Sequence, residues 1–199
     1  MLRIKKYITV VLVLCCTLLC SCLNYDKKEL RYILNTDGTI SLVITYYDLV
    51  SDPVLVSGDE DNSDPVAEDD STLYNDYSIL VDDYLNGSEA EDEYRKYKVE
   101  SKRLFEQNGV LCGEVRFVPL APEDMQILVD EKNAVMTMIF SKTEATITPL
   151  KGRIYEKAKL LLGALADREL SYMQEPIVPG KEGRQSLLPL WKADPSAPK

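Results

Sequence analysis

"LRYILNTDGTISLVITYY", residues 30–47, decides the fold class. Two runs rich in β-branched and aromatic residues flank Asp37-Gly38, the pattern of a β-hairpin. Pairing Leu34 with Ile40 puts Leu30, Tyr32 and Leu34 on one face with Ile40, Leu42 and Ile44. That register needs an odd-numbered loop. Thr36-Asp37-Gly38 fits it, with Gly38 left-handed at the bulge.

A second hairpin is read over residues 97–118, "YKVESKRLFEQNGVLCGEVRFV". A two-residue Asn108-Gly109 turn would set Glu106 against Leu111 and Lys102 against Val115, mixing charge with apolar surface. A three-residue loop, Gln107-Asn108-Gly109, pairs Phe105 with Leu111, Ser101 with Val115 and Val99 with Phe117. It also opposes Lys102 to Glu114 and Glu100 to Arg116. Both faces are then consistent, and this register is the expected one.

Helical spacing of Leu73, Tyr77, Leu80, Val81 and Tyr84 predicts a helix over 72–86, with Ser71 as cap and Gly87 as stop. Ser88 and Glu91 form a capping-box pattern, and acids precede Arg95, Lys96 and Lys98, so a second helix is expected there. Residues 124–148 read as two or three strands with a turn near Lys132-Asn133. Residues 149–170 place Ile154, Tyr155, Ala158, Leu161, Leu162, Leu165 and Ala166 at spacings of three to four. They are expected to form a broad amphipathic helix that Thr148-Pro149 starts. The expected class is thus α+β: a mostly antiparallel sheet built from hairpins and covered by two or three helices.

From Ser171 onward, prolines at 176, 179, 189, 195 and 198 break the chain, and residues 171–199 read as a largely disordered tail. Its one apolar patch, "SLLPLW" at 186–191, holds the sole tryptophan. It either docks back on the domain or engages a partner.

The N-terminus carries a different signal. Arg3, Lys5 and Lys6 precede an apolar run from Tyr7 to Leu19. That run is too short for a spanning helix, which needs ~20 residues, and has the length of a signal-peptide core. Leu19-Cys20-Ser21-Cys22 resembles the lipobox of bacterial lipoproteins. The resemblance implies a signal peptide over 1–21, cleavage before Cys22, and diacylglyceryl and acyl (palmitate-type) chains on Cys22, with residues 22–29 as a lipidated tether. The alternatives are Cys20, with a poorer −3 and −1 pair, and an ordinary signal peptide cut near Ser21. The membrane would then be a partner through the acyl chains. Leu23, in place of Asp, is compatible with the outer membrane. The expected location is the bacterial cell envelope.

Removing the three leader cations, and no acids, takes the net charge from −10 to −13. Such a body is repelled by phosphate backbones and by anionic lipid, which argues against nucleic acid as a partner. The chain has no histidine, so Ser-His-Asp and Cys-His catalysis are excluded. After cleavage only Cys22 and Cys112 remain, which excludes an intramolecular disulfide with a thioether-linked Cys22 and any multi-cysteine zinc site. Cys112 reads as a half-buried strand residue. No cofactor and no catalytic residue is expected.

Residues 33–94 contain no Lys or Arg and seventeen acids. Within the acidic loop 50–71, "DEDNSDPVAEDD" (59–70) puts Asp59, Asp61, Ser63 and Asp70 at positions 1, 3, 5 and 12 of an EF-hand-like calcium loop. Position 6 is Asp64 where the turn wants glycine, and position 12 lacks the bidentate Glu. A solvated acidic loop is therefore the expectation, with at most weak calcium association.

The order hairpin, helix, hairpin resembles LppM-like bacterial lipoproteins, on the strength of "NTDGTISL" and "NGVLCGEVRFV". It implies a small sheet placed after a lipid anchor, in a family without recognised enzymes. The function expected from all this is a lipid-anchored, non-enzymatic interaction or structural module, with an envelope protein as its partner. The alternatives are a carrier of a lipid or other apolar ligand held between the sheet and helix 149–170, and a calcium-dependent surface adhesin.

Overall fold

The computed structural model describes residues 23–52, 70–87, 94–139, 145–176 and 183–197. The first hairpin forms as its sequence dictates. Strand β1 (Leu23–Leu34) pairs antiparallel with β2 (Ile40–Ser51), and Leu34 lies opposite Ile40. Asp37 closes the turn by accepting the Thr39 N–H at 3.0 Å and its hydroxyl at 2.7 Å. These bonds hold the Asp37 carboxyl below its usual range. Because β1 is continuous from Leu23, residues 23–29 are paired sheet and not the loose tether expected over 22–29.

Strand β3 (Val99–Gln107) pairs with β4 (Val110–Phe117), and here the expected register is overturned. Glu106 lies opposite Leu111 and Lys102 opposite Val115, around a two-residue turn. Asn108 and Gly109 both have positive φ, +54 and +81, the turn whose twist matches that of the strands. An irregularity between Val99 and Ser101 restores the pairing of Val99 with Phe117. Lys102 and Glu106, misfits on an apolar face, find partners in the helices above it. The Lys102 ammonium donates to the carbonyls of Tyr84 and Gly87 (3.2 Å to the latter). Glu106 accepts from Lys192 at 2.8 Å. Arg103, not Lys102, takes Glu114.

Residues 124–148 yield β5 (Ile127–Asp130), β6 (Val135–Ile139) and the start of β7 (Ala145–Lys151), as expected. The turn before β6 is held by Asn133, which donates from backbone and side chain to Asp130. The amphipathic helix expected over 149–170 is absent. The chain instead continues β7 and builds β8 (Arg153–Tyr155), β9 (Leu160–Ala164) and the start of β10 (Glu169–Pro176), joined by short 3-10 turns. Two glycines explain this. Gly152 has φ +107 and bends the chain from one sheet into the next, and Gly163 sits against Leu170 with no room for a Cβ. Pro149, read as a helix start, lies in β7, an edge strand where a missing N–H is tolerated.

The strands form two sheets. The long one runs β3-β4-β2-β1-β10-β7, with β11 (Gln185–Ser186) pairing to the end of β2. The small one runs β5-β6-β9-β8. The small sheet packs on one half of the long sheet. Leu30, Leu34, Ile40, Leu42 and Ile44 meet Ile127, Met136, Met138 and Leu161 there, nearly all without exposure. Helices cover the other half: α1 (Asp70–Ile79), continuing as a π-helical turn Leu80–Leu85, and α2 (Leu188–Ala193). The class α+β with a mostly antiparallel sheet therefore holds, while a second sheet does half the covering expected of helices.

Residues 94–98 form a turn and not a continuation of the helix expected from Ser88; residues 88–93 lie outside the described residues. The tail reading is also corrected. Residues 169–176 are β10, an interior strand of the long sheet between β1 and β7. Leu187, Leu188 and Trp191 are buried with Leu49, Leu80, Leu104 and Leu111, so the apolar patch docks back on the domain. Residues 50 and 51 belong to β2 and residues 70 and 71 to α1, so the two ends of the acidic loop expected over 50–71 are regular structure; residues 53–69 lie outside the described residues.

Candidate functional site

Alternation on β2 breaks at Asp48, whose φ is +57. Tyr46 and Leu49 consequently end on the same face, both against Gly113 of β4. Gly113 has no side chain to fill the space between them and Leu104. A hollow results, with β1, β2, β3 and β4 as floor and the π-helical turn as roof. It has a volume of about 270 Å³ and is lined by Leu23, Tyr25, Tyr46, Leu49, Leu80 and Leu104, among others. That exceeds the ~150 Å³ apolar cavity that takes a benzene and approaches the ~300 Å³ low end of ligand sites.

The roof follows from local chemistry. A π-turn is wider than an α-turn and recurs at functional sites. Here it carries Leu80, Tyr84 and Leu85 over the hollow. Its end carbonyls are neutralised by Lys102, the favoured charge at a helix C-terminus. Asp76 of α1, almost wholly buried, accepts from Ser51 at 2.5 Å and ties the helix to the end of β2. Tyr77 donates to Asp194 at 2.9 Å and joins α1 to the C-terminal segment. Burial first, then this bond, pushes the Tyr77 phenol well above its usual value. The Ser196 hydroxyl, its backbone N–H and Tyr77 hold Asp194 below its usual range.

The charged and amide side chains of the lining are Asn24, Lys102, Arg103 and Glu114. Asn24 donates to Asp52 at 2.6 Å, and Asp52 also meets Arg184 at 2.6 Å. Tyr25 and Tyr46 meet edge to face, 5.2 Å between centroids. Such a site can bind an apolar chain or ring. Of its charged lining residues, Lys102 donates to the Gly87 carbonyl and Arg103 pairs with Glu114.

The second cluster of titratable groups lies on the opposite face of the long sheet. Tyr47 donates to Glu29 at 2.7 Å, and Arg31 and Lys151 approach Glu169 at 3.4 and 3.7 Å. Burial, then the Glu29 bond, pushes the Tyr47 phenol far up. Burial alone would raise Glu169, but Arg31, Ser171 and Lys151 together bring it below the usual range. This network ties β1, β2, β7 and β10 together on that face.

Of the residues singled out from sequence, Cys22, Asp59, Asp61 and Ser63 lie outside the described residues. Asp70 is the first residue of α1. Among the described residues, no group of three or more Cys, Asp or Glu could hold a metal ion. Cys112 is fully buried in β4, not half-buried, and burial pushes its thiol up. No helix forms over 149–170 to hold a ligand beneath it, and the apolar hollow lies under 80–85. Its sequence signal was Gly113, a glycine inside a strand pattern, which marks a missing side chain. No helix among the described residues is long and apolar enough to cross a membrane. Comparison of the chain with protein-family models, with curated proteins and with solved structures gives no match.

Proposed function

We propose that this chain is a lipid-anchored lipoprotein of the bacterial cell envelope, held in the outer membrane, that acts as a non-enzymatic binding module for an apolar ligand. The anchor is Cys22, on the strength of Leu19-Cys20-Ser21-Cys22 behind a short apolar core. The observation that carries the binding reading is the apolar hollow of about 270 Å³ between the π-turn and the long sheet. Its size suits one acyl chain or a ring system, not a whole lipid. Leu23, next to the anchor residue, is part of its lining, so a membrane-held domain would keep the hollow close to its source of ligand. The expected envelope-protein partner remains compatible, as donor or acceptor of that ligand.

Two measurements test this. Lipoprotein isolated from membranes should carry a non-covalent apolar molecule visible by mass spectrometry. Gly113→Val adds bulk among Leu49, Leu104 and Tyr46 and should reduce that occupancy several-fold while leaving the fold intact. Purified protein without any such molecule, and indifferent to an acyl-chain probe, would refute the binding reading. Separately, Cys22→Ser should abolish incorporation of a palmitate analogue, and Cys20→Ser should not. Incorporation that survives Cys22→Ser would refute the anchor.

A further inference from the structure

The small sheet buries one face and leaves the other open. Its register sets Leu128, Thr137, Leu162 and Arg153 in one row, and Ile139, Leu160 and Tyr155 in the next. The alternate residues Ile127, Met136, Met138 and Leu161 form the core, so these two rows face outward. Leu128 is 60% exposed, Ile139 48% and Tyr155 46%. Together with Leu150 of β7, also 48% exposed, they are four of the six large apolar side chains that are exposed among the described residues. Single exposed leucines need no explanation, but a clustered apolar face on a monomer marks a contact surface.

Charge selects the partner. Residues 145–164 carry Lys151, Arg153, Lys157 and Lys159 against one acid, Glu156, in a chain of net charge −10. Arg153 stands on the open face, and Lys157 and Lys159 are exposed on the turn that follows Tyr155. At the far end of the face, Asp130 is engaged by Asn133, and Glu131 and Lys132 lie side by side in the same turn, so that end adds no excess of positive charge. A flat apolar face with a tyrosine and three cations at one margin matches a bilayer surface bearing anionic headgroups. Apolar side chains enter the acyl boundary, the tyrosine sits at the headgroup level, and the cations meet phosphate. A second copy stacked with the same margins together would bring these cations against themselves.

We propose that the outer face of the small sheet docks on an anionic phospholipid bilayer. The expected repulsion of the whole acidic chain from such a surface is overcome locally, because cations within about a Debye length of the membrane act before the distant acids do. This proposal does not depend on the hollow or on its ligand.

The test uses the full-length chain reconstituted in vesicles, with Trp191→Phe removing the native fluorophore and Tyr155→Trp placing one on the face. Brominated phosphatidylcholine quenches indole only at the bilayer. In vesicles containing phosphatidylglycerol, emission should be quenched, and in vesicles of phosphatidylcholine alone it should not. Adding Arg153→Gln, Lys157→Gln and Lys159→Gln should weaken docking about a hundredfold, since each near-surface cation contributes roughly a factor of five. Tyr74→Trp in the same Trp191→Phe background, on α1 and 60% exposed in the native chain, should stay unquenched. No quenching at position 155 in anionic vesicles, or equal quenching at position 74, overturns the proposal. So does a change at position 155 that needs no lipid and follows protein concentration, which would make the face an interface between copies.

Discussion

Gly152→Ala tests the corner that turns β7 into β8. The residue has φ +107, a conformation that strains an L side chain by about 1–3 kcal/mol. An added Cβ would also lie 2.7 Å from the Leu162 carbonyl oxygen and 3.0 Å from the Leu161 side chain. The carbonyl belongs to β9, which β6 and β8 hold on both sides, so it cannot retreat cheaply. Overpacking of this kind adds about 1–3 kcal/mol. The expected total is about 3 kcal/mol. Gly38→Ala provides the comparison. Its φ is +87, but nothing lies within 4 Å of the new Cβ, so only the backbone term of ~1 kcal/mol remains. In urea, with a slope of ~2 kcal/mol/M, the two midpoints should differ by about 1 M. The full-length chain, followed by far-ultraviolet circular dichroism, reports both midpoints and slopes. Equal midpoints for the two variants would refute the closed corner between the sheets.

Four further outcomes are expected. Asn108→Val and Gly109→Val should each destabilise by about 1–2 kcal/mol in urea titrations, because both residues have positive φ; a three-residue loop would make only the second costly. Asp52→Ala should cost about 2 kcal/mol, less than breaking a fully buried pair because Asp52 is 27% exposed, since it strands the Arg184 guanidinium, which is 9% exposed. A loss under 1 kcal/mol would show that Arg184 finds another partner. Arg31→Ala should raise the Glu169 pKa, read by carboxyl NMR. A depressed carboxyl stabilises the fold above its unfolded pKa and loses that contribution as pH falls through the folded value, so the acid-unfolding midpoint should move to higher pH. By the same sign, protonating Asp194 weakens its bond to Tyr77, and protease cleavage of the C-terminal segment should increase below the usual carboxylate range. Cleavage that is flat with pH would refute that link.

The first hairpin, the helix over 72–86 and the strands of 124–148 were legible because local pattern and tertiary packing agree there. Residues 149–170 misled because two strands separated by a 3-10 turn can mimic helical spacing: Ile154 and Leu161 lie seven apart, yet they are direct neighbours across β8 and β9. Gly152 and Gly163 carried the contrary signal, since each glycine inside a helix costs ~1 kcal/mol. The second hairpin's register failed for another reason. Charge on an apolar face looks wrong in two dimensions, and only the helices lying above it supply partners for Lys102 and Glu106. Apart from Gly113, nothing in the sequence marked the hollow, for the same cause. Its floor comes from strands far apart in sequence, and its shape depends on the left-handed Asp48, a position that no local motif marks.

Strand β1 has a mechanical consequence. It begins at Leu23 and occupies the interior of the long sheet, with β2 along its whole length and β10 from Lys28 to Ile33. Tension entering through an anchor at residue 22 therefore runs along the axis of β1, at right angles to its antiparallel ladder bonds. All of those bonds are loaded together in shear, whereas a strand at the border of a sheet would be peeled one bond at a time. The rate of forced unfolding is set by the barrier and not by the equilibrium stability. A domain hung by its central strand should yield last at its point of attachment, and under load its outer strands β3 and β7 would let go while the attachment held.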